Sequence, residues 1–180
     1  MAASILIAYA TRYGSTREVA DAVGARLHER GFSAEVRRAR EVRSLDGFNA
    51  VVLGAPLYIG SLLREARKFL ERHRAALSQM PVAIFALGPI SAGKELEDAR
   101  TQLAAALAKL PWLRPVATEV FVGKYDPAHL RFPDSLLAAL PASPLHGLPA
   151  HDGRDWAAIR AWADTLPAAL QLESSPVGAS

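Results

Sequence analysis

PVAIFALG, residues 81 to 88, contains no charged or polar side chain. A strand with one wet face alternates polar and apolar positions, so an unbroken run of this kind reads as a strand covered on both faces. Covering both faces requires helices above and below, and the rest of the chain supplies them. SILIAYA (4–10), NAVVLGAP (49–56, ended by Pro56) and VATEVFVG (116–123) are further strand candidates, and AEVRRA (34–39) is a less buried one.

Between them lie helical periodicities. Ser15 and Glu18 have capping-box spacing, Val19, Val23 and Leu27 follow on one face, and Gly31 closes that helix. Leu62, Leu63, Ala66, Phe69, Leu70 and Leu77 predict a second helix; Leu96, Ala99, Leu103, Leu107 and Leu110 predict a third. A short helix is expected around 41–46. Asp155 caps a last helix with the face Ile159, Ala163, Leu166 and Leu170, which Pro167 is expected to kink or end. Alternating strands and helices predict an α/β fold: a doubly wound, three-layer parallel sheet of five strands in the order 2-1-3-4-5. The expected organisation is one domain over 1–172, with a long insertion at about 124–153 and a flexible tail at 173–180.

The 180 residues contain no cysteine, which excludes disulfides, thiolate metal sites and cysteine nucleophiles. Redox chemistry would have to come from a bound cofactor. The net charge is +3, but acidic residues interleave the arginines, so solvated faces are expected rather than a nucleic-acid surface. No apolar run reaches membrane-span length and the N-terminus lacks a signal-peptide pattern, so a cytoplasmic chain is expected. None of the five histidines has metal-ligand spacing, and no metal is expected. His28 and His73 read as solvent-facing helix residues, and Trp112, Trp156 and Trp162 as packing residues.

In a 2-1-3-4-5 sheet, ligands bind where the carboxyl ends of strands one and three diverge. ATRYGSTREVA (10–20) occupies the first of those ends. It lacks the glycine spacing of a dinucleotide fingerprint and the Gly-Lys-Ser/Thr of a nucleotide-phosphate loop. The chain also lacks the acidic residues of a phospho-receiver and the cysteine of a phosphatase. The N–H groups of a helix start, together with Thr11, Ser15 and Thr16, could hold a phosphate; equally, Ser15 or Thr16 could simply cap the helix. The stretch alone leaves both readings open.

YATRYGSTREVA resembles the phosphate loop of flavodoxin-like, FMN-binding proteins. GAPLYIG (54–60) and ALGPISAG (86–93) fall where that family has its two isoalloxazine loops. Within the family, the chain is most similar to menaquinone-dependent protoporphyrinogen dehydrogenases, through RYGSTRE, GAPLYIG, PWLRP (111–115), Gly123 to Tyr125, the insertion and Asp155-Trp156. The resemblance implies FMN held by Thr11, Arg12, Tyr13, Gly14, Ser15 and Thr16 at the phosphate. It implies Pro56, Leu57, Tyr58, Ile59, Gly60, Leu87, Gly88, Pro89, Ile90, Ser91 and Gly93 around the ring; the second loop has no aromatic, so the face opposite Tyr58 is expected to be open to a bulky substrate unless Tyr125 or Phe121 reaches it. A peptide within Tyr58–Gly60 is expected at flavin N5. Tyr13 departs from the pattern, standing where a small hydroxyl residue is usual, so its backbone N–H is expected to take over that contact.

The implied activity passes electrons between an organic substrate (porphyrinogen-like or a quinol) and a quinone acceptor, with chemistry carried by FMN rather than by a catalytic side chain. The alternatives are a one-electron carrier for a redox partner protein, and an interaction protein without flavin. The insertion could lid the flavin, contact a membrane surface peripherally or form a homodimer; a loop packed over the sheet edge is the plainest expectation. Segments 56–64 and 87–94 contain no acid, while Arg12, Arg64 and Lys94 flank the site. That pattern predicts a stabilised anionic reduced flavin and a potential above that of acidic flavodoxins.

Overall fold

The computed structural model describes residues 3–89 and 91–173. In chain order the elements are β1 (Ser4–Tyr9), α1 (Ser15–Glu29), β2 (Ser33–Arg38), β3 (Ala50–Tyr58), β4 (Ser61–Leu62), α2 (Arg64–Arg72), α3 (Arg74–Leu77), β5 (Val82–Leu87), α4 (Lys94–Ala108), β6 (Ala117–Phe121), β7 (Lys124–Tyr125), α5 (Asp134–Ala139), β8 (His151–Asp152) and α6 (Trp156–Ala169). The main sheet runs β2-β1-β3-β5-β6, with every neighbouring pair parallel. Once the two-residue β4 is set aside, this is the expected 2-1-3-4-5 order. Strand β4 folds back antiparallel on the end of β3.

Side-chain alternation splits the core into two layers. Ile5, Ile7 and Tyr9 of β1 face α1 and α6, packing with Val23, Leu27, Ile159 and Leu166. Leu6 and Ala8 face the other way, toward Ala66, Phe69 and Leu70 of α2 and Leu103 of α4. The interior strand β5 is buried at every position, whereas edge strand β2 alternates exposed and half-buried residues. Among the described residues, no helix is long and apolar enough to cross a membrane.

Four local expectations need correction. The capping box does not form: Gly14, at φ 93°, is the N-cap of α1, and Glu18 is drawn instead to Arg154. The segment 41–46 is not helical; a 3-10 turn occupies Ala39–Glu41. Helix α6 continues past Pro167 for two residues, to Ala169, before it ends. The predicted second helix begins as the β4 arm and breaks at His73, whose backbone (φ −103°, ψ 16°) leaves the helix between α2 and α3.

That break turns His73 inward rather than to solvent. It is 7% exposed, its Nε2 lies 3.2 Å from the Val42 carbonyl, and its ring meets Phe69 at 4.8 Å. Burial pushes the imidazole below its ordinary range; the Val42 carbonyl opposes the shift and Arg72 adds to it. The unfolded chain therefore binds the proton more readily, and stability falls as pH drops from about 6.5 toward the lowered folded value. Chemical denaturation of a His73→Gln protein is expected to show a shallower loss of stability over that acid window than wild type. Parallel curves would assign the loss to other groups.

Candidate functional site

The carboxyl ends of β1 and β3 are joined where the Ala10 N–H donates to the Gly54 carbonyl at 2.9 Å. Beyond that junction the chain turns through Thr11–Gly14 and enters α1. The Gly14 N–H donates to Thr11 Oγ1 at 2.8 Å, closing the turn. The positive φ of Gly14 is one that an L side chain adopts only with strain, although the space beside its Cα is open. Helix α1 has no side-chain cap, and its first backbone donor with a backbone acceptor is Glu18, to Gly14 at 3.3 Å. The N–H groups of Ser15, Thr16 and Arg17 therefore lack intrahelical acceptors at the positive end of the helix dipole.

Thr16 sharpens the picture. It is 1% exposed, and its Oγ1 is the buried side-chain polar atom without a hydrogen-bond partner among the described residues. A buried hydroxyl left unpaired costs about 1–3 kcal/mol, so its presence beside three free amides calls for an acceptor. The loop is also braced from outside. Arg38 donates to the Thr11 carbonyl at 3.2 Å while pairing with Glu65 at 3.0 Å. Arg154 donates to the Ser15 carbonyl at 3.3 Å. With the Thr11 carbonyl turned out to a guanidinium, the trans peptide sends the Arg12 N–H the opposite way.

Across the gap, β3 and β4 form a hairpin in which Tyr58 pairs with Ser61. Its two turn residues, Ile59 (φ 46°) and Gly60 (φ 68°), are both left-handed, the pattern of a type I′ turn. A β-branched residue is strained there, and Ile59 is fully exposed. Tyr58 remains 40% exposed, yet desolvation pushes its phenol up to about 12, opposed by Arg12 and reinforced by Tyr13 and Asp134. Pro56 and Leu57 are buried in β3, where Leu57 pairs with Leu62.

On the other side, Leu87 ends β5, Gly88 donates its N–H to the Phe121 carbonyl at 2.9 Å, and Pro89 accepts from Gly123 at 2.9 Å. A Cβ on Gly88 would lie 2.9 Å from Val120, so glycine lets β6 approach. Ser91 is exposed and donates to Glu95 at 2.5 Å, Gly93 (φ 79°) is the N-cap of α4, and Ile90 lies outside the described residues. Tyr125 is buried, and its hydroxyl donates to the Leu145 carbonyl at 3.4 Å inside the insertion. Phe121 packs against Phe85 and Trp162 in the layer of α1 and α6. Neither aromatic presents a free face at the site.

Three residues of the site were not expected, and all lie far along the chain or on another strand. Asp134 accepts from the Tyr13 phenol and pairs with Arg12 at 3.1 Å. Arg154, its side chain 3% exposed, pairs with Glu18 and Asp152, each at 2.6 Å, and stacks over Trp156 at 4.7 Å. Arg38 is the third. The one sequence signal was a lone acid in the apolar run RFPDSLLAAL; nothing distinguished Arg154 or Arg38. Asp134 and Glu95 also qualify the picture of an acid-free rim, because the first neutralises Arg12 and the second adjoins the second loop.

A family described as "Flavodoxin domain" matches residues 6–142. The chain belongs to the flavodoxin family. Its cofactor is FMN, and the free amides of α1 with the unpaired Thr16 hydroxyl fit the phosphate of that group. Protoporphyrinogen IX dehydrogenase [quinone] of Escherichia coli K12 is 27% identical over 139 residues, spanning 75% of this chain and 76% of the relative. A cysteine-to-alanine mutant of flavodoxin from Pseudomonas aeruginosa superposes with a TM-score of 0.56 at 17% identity, over 93% of this chain and 99% of that one. Rubredoxin oxygen:oxidoreductase from Desulfovibrio gigas gives 0.55 at 16%, over 93% and 36%. The fold, with the family, supports a flavin-binding oxidoreductase or electron carrier.

Proposed function

We propose that this flavodoxin-family chain is an enzyme that passes electrons between an organic substrate, porphyrinogen-like or a quinol, and a quinone acceptor, acting in the cytoplasm as one domain over residues 1–172. The cofactor site rests on the buried, partnerless Thr16 hydroxyl beside the uncapped start of α1. Bound FMN supplies the redox chemistry, and no side chain is asked to act as nucleophile or metal ligand.

The residues divide the remaining work. The Ser15, Thr16 and Arg17 amides and the Thr16 hydroxyl bind phosphate, with Thr11 and Ser15 adding donors. Tyr58 covers one face of the ring, and Pro56–Gly60 and Leu87–Gly93 border it. The left-handed Ile59–Gly60 turn offers its backbone to the N5 edge. Substrate choice is supported by the dehydrogenase relative and by where apolar surface is exposed. Phe132, Leu136, Leu137, Leu140 and Leu148 in the insertion, and Ile59 on the hairpin, expose the kind of apolar surface a large organic substrate contacts.

Thr16→Val tests the cofactor site through opposite effects. Without FMN, the valine removes an unpaired buried hydroxyl and is expected to raise stability by about 1 kcal/mol. With FMN, it removes a phosphate donor and is expected to weaken binding about tenfold. Thermal melts and flavin titration read the two effects; unchanged FMN affinity would remove the phosphate from this loop. Rapid turnover of a quinol or porphyrinogen with a menadione-type acceptor supports the enzyme. Fast exchange with a flavodoxin reductase and no quinone turnover would make the protein a one-electron carrier.

A further inference from the structure

Tyr13 is the residue that fits the phosphate-loop pattern least, and its side chain turns out to serve another purpose. The phenol leaves the loop and donates to Asp134, at the first turn of α5 in the insertion. The Arg131 N–H donates back to the phenol oxygen at 3.4 Å, so the hydroxyl is engaged as both donor and acceptor. Arg12 pairs with the same carboxylate at 3.1 Å, and its guanidinium lies 5.7 Å from the centre of the Tyr13 ring. Burial, followed by the bond to Asp134, raises the Tyr13 phenol above its ordinary value, which keeps it protonated and donating.

This cluster joins segments 121 residues apart. Its charges also reach the Tyr58 phenol of the hairpin, which Arg12 pulls down and Tyr13 and Asp134 push up. A ligand with its phosphate at α1 and its ring beside Tyr58 spans those same two loops. Helix α5 is therefore tied, by a single carboxylate, to the loop proposed to seat the phosphate. The other root of the insertion is held independently, by Arg154 to Glu18 and Ser15.

We propose that Asp134 is a positioning residue that gates FMN exchange: by holding Tyr13 and Arg12 it closes the insertion over the site, and FMN enters and leaves when that tie opens. The proposal rests on FMN occupying the phosphate loop as argued above. Asp134 contributes no favourable contact to a phosphate, and its removal frees the Arg12 cation, which attracts one. Losing the tie should therefore speed entry and exit together, rather than weaken binding.

Stopped-flow flavin fluorescence gives the association rate, and release into an excess of apoflavodoxin gives the dissociation rate. In Asp134→Ala, both rates are expected to rise about tenfold or more, with Kd changing less than about threefold. Tyr13→Phe, which keeps the Arg12 pair and the ring, should show a smaller rise in both, and Asp134→Glu should return toward wild type. Unchanged rates in Asp134→Ala would overturn the gate. So would faster release with unchanged association, since that marks a lost binding contact or a damaged fold. Failure of the wild-type protein to take up FMN would overturn the cofactor reading itself and the gate with it, an outcome visible before any variant is made.

Discussion

Gly54→Ala is expected to cost about 3 kcal/mol of stability, at the upper end of what overpacking a core usually costs, and Gly54→Val to leave little folded protein. Gly54 sits in β3 with Tyr9 of β1 on one side and Phe85 of β5 on the other. A Cβ placed there would lie 2.1 Å from Phe85 Cζ and under 3 Å from both Cε atoms. The ring cannot swing aside cheaply. Phe85 is fully buried, with Phe121 at 6.2 Å and Trp162 edge-on at 5.9 Å. Gly54→Ala combined with Phe85→Leu should recover part of the loss, because the smaller side chain vacates the contested volume. Denaturant titration of the three proteins decides it, and a Gly54→Ala protein as stable as wild type would refute the packing. FMN binding should fall in parallel, since the Gly54 carbonyl anchors Ala10 at the entry to the phosphate loop.

Arg154→Leu is the second large expectation. The guanidinium holds Asp152, Glu18, the Ser15 carbonyl and the face of Trp156 at once. Removing one member of a buried pair typically costs about 3–5 kcal/mol. Here the partner carboxylates are themselves 41% and 51% exposed and can return to water, which lowers the expected loss to about 2–3 kcal/mol. Lysine should rescue only a minority, because one ammonium cannot reproduce the fork. A pH signature accompanies the loss. The hydrogen bond from Arg154 holds the Asp152 carboxyl below the usual carboxylate range. That contribution is complete above the unfolded carboxylate value, near 4, and disappears as pH falls through the lowered folded one. The variant should lack this part of the acid loss, and equal acid sensitivity in both proteins would contradict the assignment.

Much of the architecture could be read locally. Unbroken apolar runs are enough to define β3 and β5, since few alternatives bury such segments on both faces. Helical periodicity places α1, α4 and α6 within a few residues. The errors share one origin. Ser15 and Glu18 have capping-box spacing, but a left-handed Gly14 takes the cap, and Arg154 competes for Glu18 from 136 residues away. His73 belongs to a helical stripe until a backbone break rotates it into the core. The β3–β4 turn is hidden because isoleucine, not asparagine or aspartate, occupies its first left-handed position. The candidate phosphate loop was marked by its hydroxyls and by the resemblance, but the residues that brace it are not local to it. A window of sequence carries propensity and periodicity; it does not carry which distant guanidinium will meet which carbonyl.

Those distant braces impose an order on biosynthesis. The phosphate loop leaves the ribosome well before its struts at residues 134 and 154. A nascent chain with α1 already coiled would display the loop without its outer supports. Products that stop short of Arg154 would lack its grip on Ser15 and Glu18 and hold flavin less well than the longer chain.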